Sequence, residues 1–141
     1  MTTVVLADCG GNSSEKMRAT LTDDGCTYEG DETPAAGMFT VEVENQTMYF
    51  GAFALAAIAE GSTIKDDLEP FLEKARQQFQ RSGTLLDSPA YYEQVVRGAA
   101  QAGETTFLPA DVPAGRYALM CFVDDLPTWR VYAAAQLDVT E

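Results

Sequence analysis

The chain has no histidine among its 141 residues. That absence removes Ser-His-Asp and Cys-His nucleophile activation, imidazole general bases and every His-ligated zinc, copper or haem site. Basic residues are scarce as well: 9 Lys and Arg stand against 22 Asp and Glu, a net charge of −13. Binding a nucleic-acid backbone needs clustered Lys and Arg, so no nucleic-acid partner is expected. Anionic lipid surfaces are disfavoured for the same reason. No apolar run reaches the roughly 18 residues that mark a membrane span. No cysteine pair has CxxC spacing, which leaves thioredoxin-like redox work and a zinc knuckle without support. EF-hand spacing is missing too. The chemistry left open is that of carboxylates, of thiols, or none.

What is present is enough to build a core. The composition is 46% hydrophobic and 22% charged, unlike a disordered acidic tail. The length fits one domain on the usual scale of roughly 100–200 residues. Three cysteines stand at Cys9, Cys26 and Cys121. A crosslink from Cys26 to Cys121 would close most of the chain into a loop and stabilise by roughly 2–4 kcal/mol. Two free buried thiols packing as small hydrophobes are the equal alternative. Around Cys9 the sequence runs Val4-Val5-Leu6-Ala7-Asp8-Cys9-Gly10-Gly11-Asn12-Ser13-Ser14. A short apolar stretch, then Cys-Gly-Gly, then a polar tether, resembles the end of a bacterial lipoprotein signal, in which the cysteine is lipidated. Asp8 departs from that pattern, which wants a small residue there. Cys9 is thus the lipidation candidate and the expected lipid anchor. The other reading is an ordinary cytoplasmic N-terminus with one exposed thiol.

Residues 1–16 read as a flexible tether and residues 17–141 as the domain. Met17, Ala19 and Leu21 alternate with polar neighbours as a half-buried strand, and Asp23-Asp24-Gly25 is a turn signal. Cys26–Tyr28 is a short extended piece. Phe39, Val41 and Val43 alternate inward while Glu42 and Glu44 face out. Asn45-Gln46-Thr47 turns the chain; it and Asn12-Ser13-Ser14 also match the glycosylation sequon. Phe53–Ile58 suits a buried strand or a helix, and its shortness favours the strand. Over residues 62–82, Ile64, Leu68, Phe71, Leu72, Ala75 and Phe79 recur at helical spacing, with Ser62 or Thr63 as cap. Pro70 either begins a second helix or kinks the first. Tyr92–Ala100 reads as a strand, Thr105–Leu108 as a short one. A Pro113-Ala114-Gly115 turn feeds a strand with Tyr117, Leu119 and Cys121 on one face, which the Asp124-Asp125 turn ends. Val131, Ala133, Ala135, Leu137 and Val139 share a face of the last strand. About seven short strands and one helical insertion make an all-β, Greek-key sandwich.

In this order the elements resemble the cupredoxin-like domain, the sandwich of the small blue copper proteins. The likeness covers roughly residues 15–141 and rests on three stretches: Leu21–Tyr28 with Pro34–Asn45, Gly51–Leu55 with Glu60–Thr63, and Pro113–Phe122. The last resembles the strand that delivers the copper thiolate, and it puts Cys121 at that position. A blue copper site also needs two imidazoles. The first falls on Gly51. Where the family places its second imidazole and a methionine, Asp124, Asp125, Trp129 and Arg130 stand instead. Copper electron transfer is therefore excluded, and no cofactor, resident metal or catalytic residue is expected. A thiolate-thioether Cu(I) site from Cys26, Cys121 and Met48 or Met120, or an acidic-loop site, is the alternative reading as a metal-handling protein.

The resemblance further implies that Cys26 packs near Cys121, so that a disulfide replaces the metal. A disulfide implies an oxidising compartment. The whole is similar to metal-free actinobacterial extracytoplasmic lipoproteins of unassigned function. The expectation is a non-enzymatic, extracytoplasmic binding or envelope-associated module with an unassigned protein or small-molecule partner. Of the paired acids, Asp124-Asp125 lies where the family's ligand loop sits. With Trp129 and Arg130 it supplies the binding candidates. Tyr91, Tyr92, Phe122 and Tyr132 are aromatics expected to gather near that end.

Overall fold

The computed structural model describes residues 16–87, 89, 92–125 and 127–141. Cys9, the Asn12 sequon, Tyr91 and all of the tether but Lys16 lie outside them. Among the described residues eight strands form: β1 (Arg18–Thr22), β2 (Gly25–Glu29), β3 (Gly37–Asn45), β4 (Gly51–Ile58), β5 (Tyr92–Ala100), β6 (Thr105–Val112), β7 (Gly115–Asp125) and β8 (Thr128–Val139). They make two four-stranded sheets, ordered β2-β1-β3-β6 and β5-β4-β7-β8. Pairing is antiparallel except between β1 and β3. Between β4 and β5 come a π-helical turn, Ile64–Leu68, and the helix α1, Glu69–Ser82.

The sandwich interior is filled from both sheets. Leu21, Val41, Val43 and Leu108 of the first meet Phe53, Leu55, Leu119, Cys121 and Leu137 of the second. The second sheet buries its other face too. Ala52, Ala54, Ala56, Ala118, Met120, Phe122 and Val131 pack against Leu68 and Leu72 of the helical segment. This explains why β4 and β7 read as near-continuous apolar runs: a strand covered on both faces has no polar side to show. It also settles Phe53–Ile58 as strand. The alanines there are the small residues on which a helix can lie.

The helix starts where the sequence placed it. Thr63 is its cap: the hydroxyl accepts from Asp66 N at 3.0 Å, and the Asp67 carboxylate accepts from Thr63 N at 2.9 Å. This is a reciprocal capping arrangement that satisfies otherwise orphaned donors. Pro70 lies in the first turn of α1, where its missing N–H costs nothing. Gly83 closes the helix at φ 72°, with its N–H donating to Phe79 O at 2.7 Å. The Arg76 guanidinium donates to Val131 O at 2.7 Å, tying α1 to β8.

Three expectations need correction. First, β6 runs on through Pro109 to Val112. It is an edge strand paired with β3 alone, and an edge tolerates a residue without an N–H. Second, the Asp124-Asp125 pair does not end the preceding strand. It belongs to β7, paired with Trp129 and Thr128 across a tight hairpin. Third, the five residues expected on one face of β8 are divided. A bulge at Ala134 shifts the register between Leu119↔Ala135 and Met120↔Ala133. Val131 and Ala133 face the helix, whereas Leu137 and Val139 face the sandwich interior.

Candidate functional site

The disulfide is present. Cys26 on β2 is bonded to Cys121 on β7, with a Cα–Cα distance of 6.2 Å and 95 residues between them. That distance lies within the roughly 4.4–6.8 Å such bridges need. It fastens an edge strand of one sheet to a central strand of the other. The bond leaves neither sulfur as a thiolate for Cu(I). Met120 points to the helix side, away from Cys121, and Met48 is exposed. At Gly51 a Cβ would come within 2.8 Å of Asn45 Nδ2 and 3.0 Å of a Leu21 methyl. No imidazole could be built there. Among the described residues no group of three or more Cys, Asp or Glu side chains could hold a metal ion.

Asn45 is buried and fully engaged. Its amide donates to Tyr49 O at 2.8 Å and Ala100 O at 3.0 Å, and its carbonyl accepts from Thr47 N and Thr47 Oγ1. The side chain pins the β3–β4 turn to β5. It is not available as a surface acceptor for a glycan.

One concavity among the described residues lies between α1, the segment that follows it, and the outer face of the second sheet. This cavity of about 180 Å³ has walls of Phe71, Leu72, Ala75, Leu85, Leu86, Phe122, Trp129 and Val131. Its polar groups are Tyr92, Gln94, Arg97 and Asp124. The Arg97 guanidinium lies 4.9 Å from the Phe122 ring centre, a cation–π distance. It donates to Gln94 Oε1 at 3.1 Å and to Asp124 Oδ2 at 3.4 Å. Gln94 in turn donates to the Tyr92 hydroxyl at 3.1 Å. Burial pushes the Tyr92 phenol above its ordinary pKa, although the Gln94 hydrogen bond and the Arg97 charge pull the other way. It is therefore a neutral hydroxyl at physiological pH. Trp129 stacks at a tilt on Phe79, with ring centres 5.4 Å apart.

Two of the four binding candidates meet in this cavity. Asp124 and Trp129 are cross-strand partners in the β7–β8 hairpin, and both line it. Asp125 and Arg130 point elsewhere and hold loops. Asp125 Oδ2 accepts from Phe50 N at 3.3 Å, and Arg130 Nη1 donates to Asp23 O at 3.0 Å. Of the aromatic group, Tyr92, Phe122 and Trp129 converge, but Tyr132 packs against the sandwich interior on the opposite face.

Arg97 and Gln94 escaped the sequence reading. Three residues apart, they would lie on opposite faces of a regular strand. A bulge at Val95, between Leu55↔Val96 and Ala56↔Gln94, brings both onto the helix side. Such bulges re-aim side chains. The adjacent Val95-Val96 pair breaks the apolar alternation there, and Gly98 follows in the same strand, but neither says which side chains the bulge re-aims.

No family model matches this chain. No curated protein matches it either. Among the described residues no helix is long and apolar enough to cross a membrane.

Proposed function

We propose that the protein is a non-enzymatic, extracytoplasmic binding module on a Greek-key, metal-free cupredoxin-like sandwich, with the cavity beneath α1 as its binding site. The carrying observation is the form of that cavity: an apolar chamber with a few convergent polar groups at one side, the usual make-up of a small-molecule site. The Cys26–Cys121 disulfide supports an oxidising compartment. Cys9, in its lipoprotein-like setting, is the proposed anchor to the envelope; mass spectrometry of the mature N-terminus reads its acylation directly.

The binding reading is tested with fluorobenzene followed by ¹⁹F NMR. An apolar cavity of about 150 Å³ accepts benzene in a well-studied case, and this one is of similar size. Saturable uptake is expected, with a change in the fluorescence of Trp129, the chain's one tryptophan. Ala75→Phe fills the chamber from the helix side and should abolish uptake while the far-UV dichroism keeps its shape. Uptake that does not saturate, or that survives Ala75→Phe, overturns the assignment.

A further inference from the structure

We infer that the cavity takes a free α-amino acid with an apolar side chain, its carboxylate on Arg97 and its ammonium on Asp124. This rests on reading the cavity as a binding site and names the class of ligand. Among the described residues lining the chamber, Arg97 and Asp124 alone carry charge. They are of opposite sign and 3.4 Å apart, side by side above the apolar walls. That spacing matches the two charges of an α-amino acid zwitterion, whose ammonium and carboxylate are attached to the same carbon.

Three further points narrow the class. A net charge of −13 repels a simple anion at long range. A simple cation would have to sit against Arg97. A molecule bearing both charges avoids each penalty and satisfies both groups at once. Second, the guanidinium has five N–H donors in a fixed fork, and Gln94 and Asp124 account for one contact each. The remaining donors suit a carboxylate. Third, the Arg97–Asp124 contact is long, and its partners are 46% and 37% exposed. A solvent-exposed pair of that kind contributes little to stability, so a ligand can replace it cheaply. The chamber has room for one aromatic ring or one branched aliphatic chain, on the benzene comparison above.

The experiment titrates the full chain with L-phenylalanine and L-leucine, read by melting temperature and Trp129 fluorescence. Phenylacetate lacks the ammonium, phenethylamine lacks the carboxylate and glycine lacks the side chain. At least one of the two amino acids should bind roughly tenfold or more tighter than every one of these controls, a preference equivalent to one good charged contact. Arg97→Gln and Asp124→Asn should each weaken that amino acid by a similar factor. Arg97→Lys should recover part of the loss, because it keeps the charge without the fork. If fluorobenzene enters but neither amino acid binds better than the controls, the ligand class is wrong and the binding site stands. If neither fluorobenzene nor any amino acid binds, both fall. Amino-acid binding that is indifferent to both substitutions also overturns the inference.

Discussion

The two sheets of this protein treat their outer faces in opposite ways. The β5-β4-β7-β8 sheet lies under α1 and carries alanine, methionine, phenylalanine and valine there. Among the described residues no helix covers the β2-β1-β3-β6 sheet, and its outer face carries ions. Glu42 receives both Lys16 and Arg18, and Arg18 also reaches Glu44 at 3.6 Å. Glu42 is left only 7% exposed by these long side chains, although it points outward. Phe107 and Met38 stand exposed on the same sheet. A sheet that must meet water can use a mesh of charges. A sheet that must receive a helix needs small side chains, and where helix and sheet part company a chamber remains. The candidate site belongs to the second arrangement.

The bond joining the two sheets should matter most. Cys26→Ser with Cys121→Ser should cost roughly 2–5 kcal/mol, the usual loss for a native disulfide. Denaturant unfolding of the double variant, beside reduced wild type, measures it. Next comes a direct contrast between the two outer faces. Leu72→Ala, on the sheet-facing side of α1 and 4% exposed, should destabilise by about 2–5 kcal/mol, whereas Phe107→Ser should stay within about 0.5 kcal/mol. Equal losses would erase the distinction between a packed face and a bare one. Thr63→Ala removes the helix cap and should cost about 1 kcal/mol, read as a lower melting midpoint.

The smallest effect concerns the charged face and depends on pH. The hydrogen bond from Lys16 holds the Glu42 carboxyl below its ordinary 4.5, with Arg18 adding to it and desolvation opposing. A carboxyl whose folded pKa is depressed stabilises the fold above the ordinary value. That contribution fades as pH falls through the lower folded value. Glu42→Gln should therefore lose stability near neutrality and show a flatter fall in stability below pH 4.5. Parallel acid titrations of the two proteins by circular dichroism would show a stability gap near neutrality that closes as pH falls below 4.5.

Much of the architecture could be read locally. Alternation marked β1 and β3 because one face of each is wet, and the 3.6-residue recurrence marked the helix with Thr63 as its cap. The apolar run of β4 stayed ambiguous between strand and helix, because a strand buried on both faces loses its alternation. Pro109 hid the length of β6, since only its edge position makes a proline harmless there. At the site, Asp124 and Trp129 were within reach because a hairpin puts near neighbours in sequence opposite each other. Arg97 was not.

The residues by themselves determined that no imidazole chemistry is available, that alternating strands must stack, and that residues 62–82 must present an apolar stripe to something. Only the tertiary structure decided what that something is and where the strands slip. The bulges at Val95 and Ala134 arise from pairing with β4 and β7, and a slip of one residue turns the following side chains to the other face. A single strand's pattern holds no record of its partner's register. The meeting of Arg97 with Asp124 is therefore a property of three paired strands, β5, β4 and β7, and of no segment alone.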